Sequence, residues 1–486
     1  MKLKELLHGV EILEVHADLE MEIASVAYDS RKVTQGVLFA AVSGFQTDGN
    51  RFISMALDRG AAAILTAKRP EREIPYILAA SDRLALAQVS ANFYAHPAKK
   101  MTMIGVTGTN GKTSVALLLK QVLEQTLHAK VGLVGTMGNQ IGDLALPTER
   151  TTPESLELQA LFAQMRDAGC THVVMEVSSH AIALERVGGV HYQVAAFTNL
   201  TEEHLDFHHT MENYCDTKAR LFSRCDRAVL NRDDGYYERI RERTSCPVLT
   251  ISRHPGAELR AEDVCLASDG VAFMAVLGEE RVPVRVAIPG KFTVYNALTV
   301  LGIAVELGIS LEDAAKALAA AKGVRGRVEV VPTPGKPYTV LIDYAHTPDG
   351  LENVLASVRS YCKGRVIVVF GCGGDRDPMK RPIMGRIGVE NSDLAIITSD
   401  NPRSENPLDI IRDIVRGIPE GKNTYITMEN RPQAIRYALD IGEKNDIIVL
   451  AGKGHETYQE VCGVKRHMDE REIVAEHLAE MEKHNG

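Results

Sequence analysis

The sequence predicts an α/β fold of three domains in which sheets of mostly parallel strands alternate with helices. Two observations support this prediction. Short apolar runs recur along the chain with helical stretches between them, as strands buried on both faces require. Polar or glycine-rich turns follow many of these runs, and open parallel sheets bind ligands at the carboxyl ends of their strands. We expect a small N-terminal α/β domain, a central parallel sheet and a Rossmann-like C-terminal sheet.

Composition limits the functions that the chain can have. Its 486 residues fit about three domains. The net charge of −9 argues against a general nucleic-acid-binding protein, because neutralising phosphates requires a basic surface. We find neither a signal-peptide pattern nor the roughly 20 apolar residues of a membrane span. The eight cysteines form no CxxC pair. We therefore expect a cytoplasmic protein that contacts neither nucleic acid nor membrane. We also expect a monomer, although the sequence itself does not give the oligomeric state.

The N-terminal domain is predicted to cover residues 1–98. Residues 23–28 and 37–42 have the pattern of strands, and residues 52–59 that of a helix. Polar turns follow both strands, at Ser30 and around Gln46, and composition alone favours simple turn chemistry for them. A proline and a lysine pair in residues 96–100 mark the boundary to the next domain.

The central domain, residues 99–325, opens with a strand, a glycine turn and a helix. This is the context that a phosphate-binding loop (P-loop) requires, with backbone N–H groups and the helix start facing phosphate oxygens. Lys112 would reach the β- and γ-phosphates, and the Thr113 hydroxyl would bind Mg²⁺. Val106 stands where the strict pattern has its first glycine, so the loop is a variant, and a structural turn is the alternative. We expect a P-loop ATPase-like sheet and a triphosphate site formed by Gly108, Thr109, Asn110, Gly111, Lys112, Thr113 and Ser114.

Further apolar runs predict the remaining strands of two sheets. In the central domain they are residues 131–134, 172–177, 194–198 and 228–230. In the C-terminal domain, residues 326–486, they are residues 338–342, 365–370, 394–398 and 446–450. The turns that follow the C-terminal strands would meet at one edge of their sheet, which predicts a second substrate surface there. The central domain is expected to alternate strands and helices up to residue 325.

Five motifs together resemble the Mur ligases, ATP-dependent amide-bond-forming enzymes that build the peptide stem of bacterial peptidoglycan. They occur in the family's order and span all three domains. They are Gly-Thr-Asn-Gly-Lys-Thr at 108–113, Glu-Val-Ser-Ser-His at 176–180, His-Leu-Asp-Phe-His at 204–208, Asp-Tyr-Ala-His-Thr-Pro at 343–348 and Gly-Lys-Gly-His-Glu at 452–456. The family's own P-loop accounts for the departure at Val106. Among its members, the chain is most similar to those that add meso-diaminopimelate.

The resemblance implies the reaction and its partners. The substrates would be ATP with Mg²⁺, UDP-N-acetylmuramoyl-L-alanyl-D-glutamate and meso-diaminopimelate. The free glutamate carboxylate of the acceptor would attack the γ-phosphate of ATP and form an acyl phosphate. The amine of diaminopimelate would then displace phosphate and form the amide. Because a carboxylate must approach a polyanion, the site needs concentrated positive charge.

The resemblance also implies roles for individual residues. The uridine-linked acceptor would contact Ser30, Gln46, Thr47, Thr151, Thr152, Ser178 and Arg186. Leu184 stands where some relatives have a polar contact. ATP would additionally contact Asn296, Arg325, Asp343, Tyr344 and His346, with Tyr344 or His346 stacking on adenine.

Two predicted catalytic residues, His204 and Lys218, depend on the resemblance more than on their own surroundings. Glu176 and His204 would bind Mg²⁺ together with Thr113, although a hard cation prefers oxygen ligands and a lone histidine is more often a satisfied polar residue. Lys218 lies in a helical stretch, where the sequence alone favours a solvated surface lysine. The resemblance instead implies a carbamylated lysine (N6-carboxylysine) that positions Mg²⁺.

The motif Asp400-Asn401-Pro402-Arg403 carries the prediction of the amino-acid substrate. Meso-diaminopimelate is lysine with a second amino-acid head, so selecting it requires pairing an extra carboxylate. An arginine does this with two parallel hydrogen bonds. The diaminopimelate-adding members carry this motif and the lysine-adding members do not. Arg376, Gly452 and Glu456 match further contacts to the second head.

Three alternatives remain open at the level of sequence. The first is a nucleotide-regulated switch protein that hydrolyses ATP only to drive movement. The second is a folylpolyglutamate synthase-like ligase, which shares the central and C-terminal architecture but lacks the uridine-binding domain and the Asp-Asn-Pro-Arg motif. The third is a lysine-adding ligase of the same type, which Arg403 argues against.

Overall fold

A computed structural model of the chain describes residues 1–44, 47–148 and 150–485. The chain forms two compact units. The first comprises residues 1–259 and 299–314, and the second comprises residues 260–298 and 315–486. The predicted boundaries at residues 98 and 325 are not tested by this two-way division and stay predictions. Within the described ranges, no helix has the length and apolar character needed to cross a membrane.

The N-terminal part of the first unit contains a sheet with the order β1-β5-β4-β3-β2. Strand β1 runs antiparallel to β5, and the other neighbours are parallel. The elements are α1 (Leu3–Leu6), β1 (Ile12–His16), β2 (Ser25–Ala27), β3 (Val37–Ala40), α2 (Ile53–Asp58), β4 (Ala61–Thr66), β5 (Tyr76–Ala79) and α3 (Asp82–Phe93). The two predicted strands and the predicted helix of this region are confirmed, with shorter bounds.

The rest of the first unit is built on a sheet that contains β13-β12-β11-β6-β10-β7-β8-β9 in this order. Strands from β13 to β7 are parallel to their neighbours, and β8 and β9 add antiparallel pairs. The elements are β6 (Thr102–Thr107), α4 (Lys112–Leu127), β7 (Val131–Val134), β8 (Asn139–Ile141), β9 (Leu144–Leu146), α5 (Ser155–Asp167), β10 (His172–Glu176), α6 (Ser179–Ala183), β11 (Tyr192–Phe197), α7 (Leu205–His208), α8 (Met211–Ala219), β12 (Cys225–Asn231), α9 (Tyr237–Glu242) and β13 (Val248–Ser252).

The alternation of strands and helices predicted up to residue 325 is wrong for residues 259–286. The chain there forms β14 (Leu259–Ala267), β15 (Gly270–Leu277) and β16 (Glu280–Val286) before α10 (Lys291–Glu306) and α11 (Leu311–Ala320). Strands β15 and β16 pair antiparallel from Val271 opposite Val286 to Leu277 opposite Glu280. The two-residue connection at Gly278 and Glu279 makes this a tight hairpin, for which Gly278 has φ +59°.

The second unit carries the C-terminal sheet, with the order β17-β18-β22-β19-β20-β21. Only its edge pair β17–β18 is antiparallel among the described pairs. A separate antiparallel hairpin, β23–β24, follows the last parallel strand. The elements are β17 (Glu329–Val331), β18 (Thr339–Asp343), α12 (Pro348–Arg359), β19 (Val366–Phe370), α13 (Lys380–Glu390), β20 (Leu394–Thr398), α14 (Pro407–Val415), β21 (Tyr425–Met428), α15 (Arg431–Asp440), β22 (Ile447–Ala451), β23 (Tyr458–Val461), β24 (Val464–His467) and α16 (Glu470–Asn485).

Burial explains why the apolar runs form the central strands of both sheets. All residues of β19 and β22 are buried, as are all residues of β7 and four of the five residues of β10. Such strands are covered on both faces, so polar side chains are confined to their ends. The predicted strands at 131–134, 172–177, 194–198, 228–230, 338–342, 365–370, 394–398 and 446–450 are confirmed within a few residues. Their carboxyl ends position the candidate site residues.

Candidate active site

The loop between β6 and α4 has the geometry of a phosphate-binding turn. Gly108 and Gly111 have φ values of +147° and +86°, in the region that favours glycine. A Cβ added at Gly108 would lie 1.9 Å from Thr198 Oγ1. Val106 is a fully buried strand residue opposite Glu176. The position that requires glycine is therefore Gly108, which explains why the variant pattern tolerates valine at 106.

The turn that follows β11 holds the phosphate loop in place through hydrogen bonds. The backbone N–H groups of Thr109 and Asn110 donate to the backbone oxygen and to Oδ1 of Asn199, at 2.8 and 2.9 Å. Lys112 Nζ donates to the backbone oxygens of Gly108 and Thr109, at 2.9 and 2.7 Å. The side chain of Lys112 thus lies along the loop. Ser114 follows in the first turn of α4, whose N-terminus adds positive partial charge.

Glu176 lies at the carboxyl end of β10 and is 2% exposed. Its Oε2 accepts hydrogen bonds from the hydroxyls of Thr113 and Thr136, at 2.9 and 3.2 Å, and its Oε1 accepts one from the Thr136 N–H at 2.9 Å. A hydroxyl and a carboxylate beside the phosphate loop are oxygen donors of the kind that Mg²⁺ prefers. The donor set of Thr113 and Glu176 therefore fits the predicted metal.

His204 has different surroundings. Its imidazole, with the side chain 43% exposed, lies 4.8 Å from the His180 ring and 6.3 Å from the Tyr214 ring. Burial lowers its pKa from the ordinary value. In the part of the chain that is described, no cluster of three or more His, Cys, Asp or Glu side chains is placed to hold a metal. The role of His204 as a metal ligand stays a prediction.

Lys218 is not a surface residue, so the interpretation favoured by the sequence alone is wrong. Its side chain is 1% exposed, and Nζ donates to the Gly108 backbone oxygen at 2.8 Å. The ammonium lies 4.5 Å from the centre of the Tyr214 ring, whose hydroxyl is 3.2 Å from Thr109 Oγ1. Burial, and then the charge of Lys112, hold the pKa of Lys218 well below its usual range. The helix α8 thus places a lysine with a low pKa directly beneath the phosphate loop.

The residues predicted to contact the muramoyl-dipeptide gather around Glu176. Thr152 Oγ1 donates to the Glu176 backbone oxygen at 2.8 Å and accepts from the Ser178 N–H at 3.2 Å. Arg186 donates to the Thr152 backbone oxygen at 3.2 Å. Thr151 Oγ1 lies 2.9 Å from the hydroxyl of Thr136, which itself bonds Glu176. These four predicted residues thus form one surface with the metal-type donors.

The structure places the predicted uridine contacts in the N-terminal part. Ser30 is buried in a short 3₁₀ turn, Ser30–Lys32, and its hydroxyl lies 3.4 Å from the sulfur of Met55. The Thr47 backbone oxygen accepts a hydrogen bond from the Gly44 N–H at 3.0 Å. Gln46 lies outside the described residues. Leu184 ends helix α6 as its C-cap residue.

A polar network in the second unit contains most of the predicted amino-acid contacts. Asn401 Nδ2 donates to Glu456 Oε2 at 2.9 Å. Arg403 donates to the Gly374 backbone oxygen at 2.7 Å, and its Nε lies 3.8 Å from a carboxylate oxygen of Glu460. Arg403 has φ +50°, a conformation that non-glycine residues rarely adopt. The turn at residues 400–403 thus directs a guanidinium toward the same cluster as Glu456.

Asp400 and Gly452 lie in close contact within this network. A Cβ at Gly452, which has φ +110°, would lie 2.9 Å from Asp400 Oδ2. That oxygen is buried and has no hydrogen-bond partner among the described residues. Pro402 continues the turn, and its backbone oxygen accepts from the Glu405 N–H at 3.0 Å. Arg376 is exposed and donates to the Asp375 backbone oxygen, and no described bond joins its side chain to the network.

The predicted ATP contacts of the second unit fall into two groups. Tyr344 forms an aromatic cluster with His346 and His455, at ring distances of 4.6 and 5.0 Å. Asp343 instead fixes the backbone, since its carboxylate accepts from the N–H groups of residues 328 and 345, both at 2.8 Å. Burial raises the pKa of Asp343. Arg325 pairs with Asp469 at 2.5 Å, and Asn296 is buried in α10.

Sequence reasoning missed two residues that complete the polar network. Lys453 is fully buried, and its Nζ contacts both Asn401 and Glu456. Glu460, on β23, faces Arg403. A lysine between two glycines directly after a wholly apolar strand is a signal that could have identified Lys453. No comparable signal marks Glu460.

Three family models match the chain. They are described as "Mur ligase family, catalytic domain" for residues 22–96, "Mur ligase middle domain" for residues 106–304 and "Mur ligase, glutamate ligase domain" for residues 326–454. Together they place a match on each of the three predicted domains.

Curated relatives match over the full length. A UDP-N-acetylmuramoyl-L-alanyl-D-glutamate–2,6-diaminopimelate ligase of Caldanaerobacter subterraneus subsp. tengcongensis is 47% identical, with 99% of this chain and 100% of the relative covered. A ligase of the same name from Clostridium tetani is 46% identical, with the same coverage. A solved structure of an enzyme with this name is 29% identical, with a TM-score of 0.76 and 99% of both chains covered.

These findings confirm the predicted three-domain α/β fold and the predicted family resemblance. The matched regions contain the phosphate loop, Lys218 and the turn at 400–403. Identity near one half over the whole length leaves no part of the described fold outside the comparison. The chain belongs to the Mur ligase family.

Proposed function

We propose that the chain is an ATP-dependent ligase that joins meso-diaminopimelate to UDP-N-acetylmuramoyl-L-alanyl-D-glutamate in peptidoglycan synthesis. One observation carries the proposal: Glu460 links Arg403 to Asn401, and Asn401 bonds Glu456. A cation and an anion are therefore available in one network for a zwitterionic amino-acid head. The names of the relatives support the same substrate pair. Each predicted domain would bind one substrate: residues 1–98 the uridine nucleotide, residues 99–325 ATP, and residues 326–486 the amino acid.

The first half of the reaction needs positive charge around a carboxylate and a γ-phosphate. Lys112 and the N–H groups at the N-terminus of α4 supply it from the protein, whereas the N–H groups of Thr109 and Asn110 are bonded to Asn199. Thr113 and Glu176 would hold Mg²⁺, which would neutralise phosphate charge when bound. Thr152 and Arg186 would hold the acceptor beside Glu176, so that its free carboxylate faces the phosphate. Attack on the γ-phosphorus breaks the bond to ADP and forms the acyl phosphate.

Lys218 has the surroundings that carbamylation requires. The modification joins an uncharged amine to carbon dioxide, forms an N–C bond and releases one proton. A low pKa favours the uncharged amine, and burial beneath Gly108 protects the product from water. The resulting carboxylate would give Mg²⁺ a further oxygen ligand. We propose this role for Lys218, with His204 as a partner at the same end of the loop.

The second half of the reaction needs an uncharged amine next to the acyl carbon and a site for the rest of the amino acid. The distal carboxylate of diaminopimelate would pair with the Arg403 guanidinium, and its distal ammonium with Glu456. Arg376 and Gly452 would line the same pocket. Lysine lacks the distal carboxylate, so it would leave Arg403 without its ligand partner. The amine attack expels phosphate and forms the amide.

The alternatives are less well supported. The match at residues 22–96 covers the domain that folylpolyglutamate synthase-like ligases lack. The Asp-Asn-Pro-Arg turn argues against a lysine-adding enzyme.

We propose that the protein acts in the cytoplasm and as a monomer. The eight cysteines, all within the described ranges, are free thiols, which is consistent with a reducing compartment.

The test is an amino-acid-dependent phosphate-release assay with the uridine-linked dipeptide as acceptor. We expect release from ATP only when both the acceptor and diaminopimelate are present, with much slower release for lysine. A switch protein would release phosphate from ATP even when the acceptor and diaminopimelate are both absent. Equal rates with lysine and diaminopimelate would contradict the proposed substrate.

A further inference from the structure

Lys453 is a buried cation that the proposed reaction does not use. Its side chain is fully buried, in the turn that follows β22. Its Nζ donates to Asn401 Oδ1 at 2.8 Å and to Glu456 Oε2 at 2.7 Å, and it lies 5.2 Å from the Tyr458 ring centre. A buried ammonium is costly unless it is paired and hydrogen-bonded. Both of its described partners are residues of the proposed amino-acid site.

The contacts of Lys453 leave one oxygen of Glu456 available. Glu456 Oε2 accepts from both Lys453 Nζ and Asn401 Nδ2, at 2.7 and 2.9 Å. Across the described ranges, Oε1 accepts no hydrogen bond. Asn401 is fixed as well, because its Oδ1 also accepts from the Glu460 N–H at 2.9 Å. The contacts among Lys453, Asn401 and Glu456 therefore fix the direction in which the Glu456 carboxylate points.

The backbone on either side of Lys453 is held by other residues. The Ala451 oxygen accepts from Arg431, which forms a fully buried ion pair with Glu470. The Gly454 oxygen accepts from Arg471 at 3.0 Å. The Gly452 N–H donates to the backbone oxygen at 343, also at 3.0 Å. The turn thus has its own supports, and the Lys453 ammonium is not needed to shape it.

We propose that Lys453 is a positioning residue that fixes Glu456 and Asn401 so that the pocket accepts a zwitterionic distal head rather than a simple amine. This inference rests on the proposed function. Lys453 occupies Glu456 Oε2 and leaves Oε1 for the distal ammonium. It also adds positive charge to a cluster that contains the carboxylates of Asp400, Glu456 and Glu460. A more negative pocket favours a cation such as the lysine side chain over a head that carries its own carboxylate.

The test compares Lys453→Met with Lys465→Met. Lys465 is an exposed lysine on β24 whose ammonium lies 4.3 Å from the centre of the same Tyr458 ring and whose backbone pairs with β23. For Lys453→Met we expect the KM for diaminopimelate to rise about tenfold or more, the usual effect of unpairing a buried charge. The KM values for ATP and the acceptor should stay within about twofold. The preference for diaminopimelate over lysine should fall. Lys465→Met should match the wild type in all four values.

A double variant tests whether Lys453 acts through Glu456. In a Glu456→Gln background, adding Lys453→Met should raise the KM for diaminopimelate clearly less than it does in the wild type, because part of the effect passes through Glu456. A full tenfold rise in that background would overturn the proposal. So would a Lys453→Met enzyme with unchanged amino-acid preference, or one in which the three KM values rise together.

Folding is checked by thermal melting of each variant. If Lys453→Met does not fold, Lys453→Gln, which removes the charge but keeps N–H donors, replaces it, with changes expected in the same direction. If neither folds, Lys453 serves stability and the proposal is wrong. Failure of the proposed function is recognised separately, because then the wild-type enzyme would show no diaminopimelate-dependent phosphate release.

Discussion

Arg403→Asn removes the guanidinium while keeping the backbone that carries it. Arg403 has φ +50°, and asparagine enters this region more readily than other non-glycine residues. The backbone N–H and oxygen of Arg403 bond Glu460 and Cys462, at 3.1 and 2.7 Å, and the substitution leaves both bonds possible. The variant therefore tests the side chain and not the turn. We expect it to weaken the use of diaminopimelate while leaving the use of lysine nearly unchanged.

The size of the effect follows from the surroundings of the guanidinium. A hydrogen bond between charged groups contributes about 1.5–3 kcal/mol. The Arg403 side chain is 21% exposed, so water replaces part of the lost contact. The lower limit of the expected free-energy loss is therefore about 1 kcal/mol. In the variant, Glu460, whose carboxylate lies 3.8 Å from Arg403 Nε in the wild type, would repel the distal carboxylate of diaminopimelate. This repulsion would bring the free-energy loss closer to the upper limit. The expected decrease in kcat/KM for diaminopimelate is about 5- to 140-fold.

The assay is phosphate release at saturating ATP and acceptor, with diaminopimelate and lysine varied in turn. The matched control is Arg466→Asn, which removes an exposed arginine from the neighbouring strand β24. It should behave as the wild type with both amino acids. An unchanged ratio of the two kcat/KM values in Arg403→Asn would refute the assignment of Arg403 as the selecting residue.

Three further predictions concern the first unit. Lys218→Ala should lose nearly all ligase activity and regain part of it with a short carboxylate such as acetate; full activity in kinetic assays would contradict the proposed carbamate. Gly108→Ala should lower the free energy of unfolding, measured in urea, by about 1–3 kcal/mol, because its Cβ would collide with Thr198; an unchanged value would show that the loop relaxes freely. Burial lowers the pKa of His208 from 6.5 to about 4, so between these pH values the unfolded state binds more protons than the folded state. Stability therefore falls as the pH is lowered. His208→Gln, which can still bond Ser179, should therefore lose less Tm than the wild type between pH 7 and 5, and an equal loss would exclude His208 as the cause.

The parallel strands were predictable because burial on both faces leaves a strong mark on sequence. The runs at residues 365–370 and 446–450 contain almost only apolar residues, and the corresponding strands are wholly buried. The polar turns after them were therefore placed correctly at one edge of the sheet. The same reasoning located Asp400–Arg403 and Gly452–Glu456 near each other before any contact was known. It could not give their hydrogen bonds, which depend on side chains from separate strand ends.

The antiparallel strands were missed because their signal is weaker. In β16 exposed and buried residues alternate, as expected for an antiparallel strand covered on one face. However, one of the exposed positions is Pro283, and proline in a strand is tolerated mainly at a sheet edge, so it argues against a strand. Strand β16 is indeed the last strand in its sheet order. The turn at Gly278 and Glu279 was the remaining clue to the hairpin.

Two lysines show why the candidate site could be predicted only in part. Lys218 and Lys453 are both buried, whereas hydropathy assigns lysine to the surface. Each compensates the cost of burial with specific acceptors: the Gly108 backbone oxygen for Lys218, and the Asn401 and Glu456 side chains for Lys453. Lys218 finds its acceptor 110 residues away, which no local pattern reveals. A buried charge brings little net stability, so a buried lysine that is hydrogen-bonded beside a ligand-type cluster is best explained by the ligand. This applies to Lys453 as much as to Lys218.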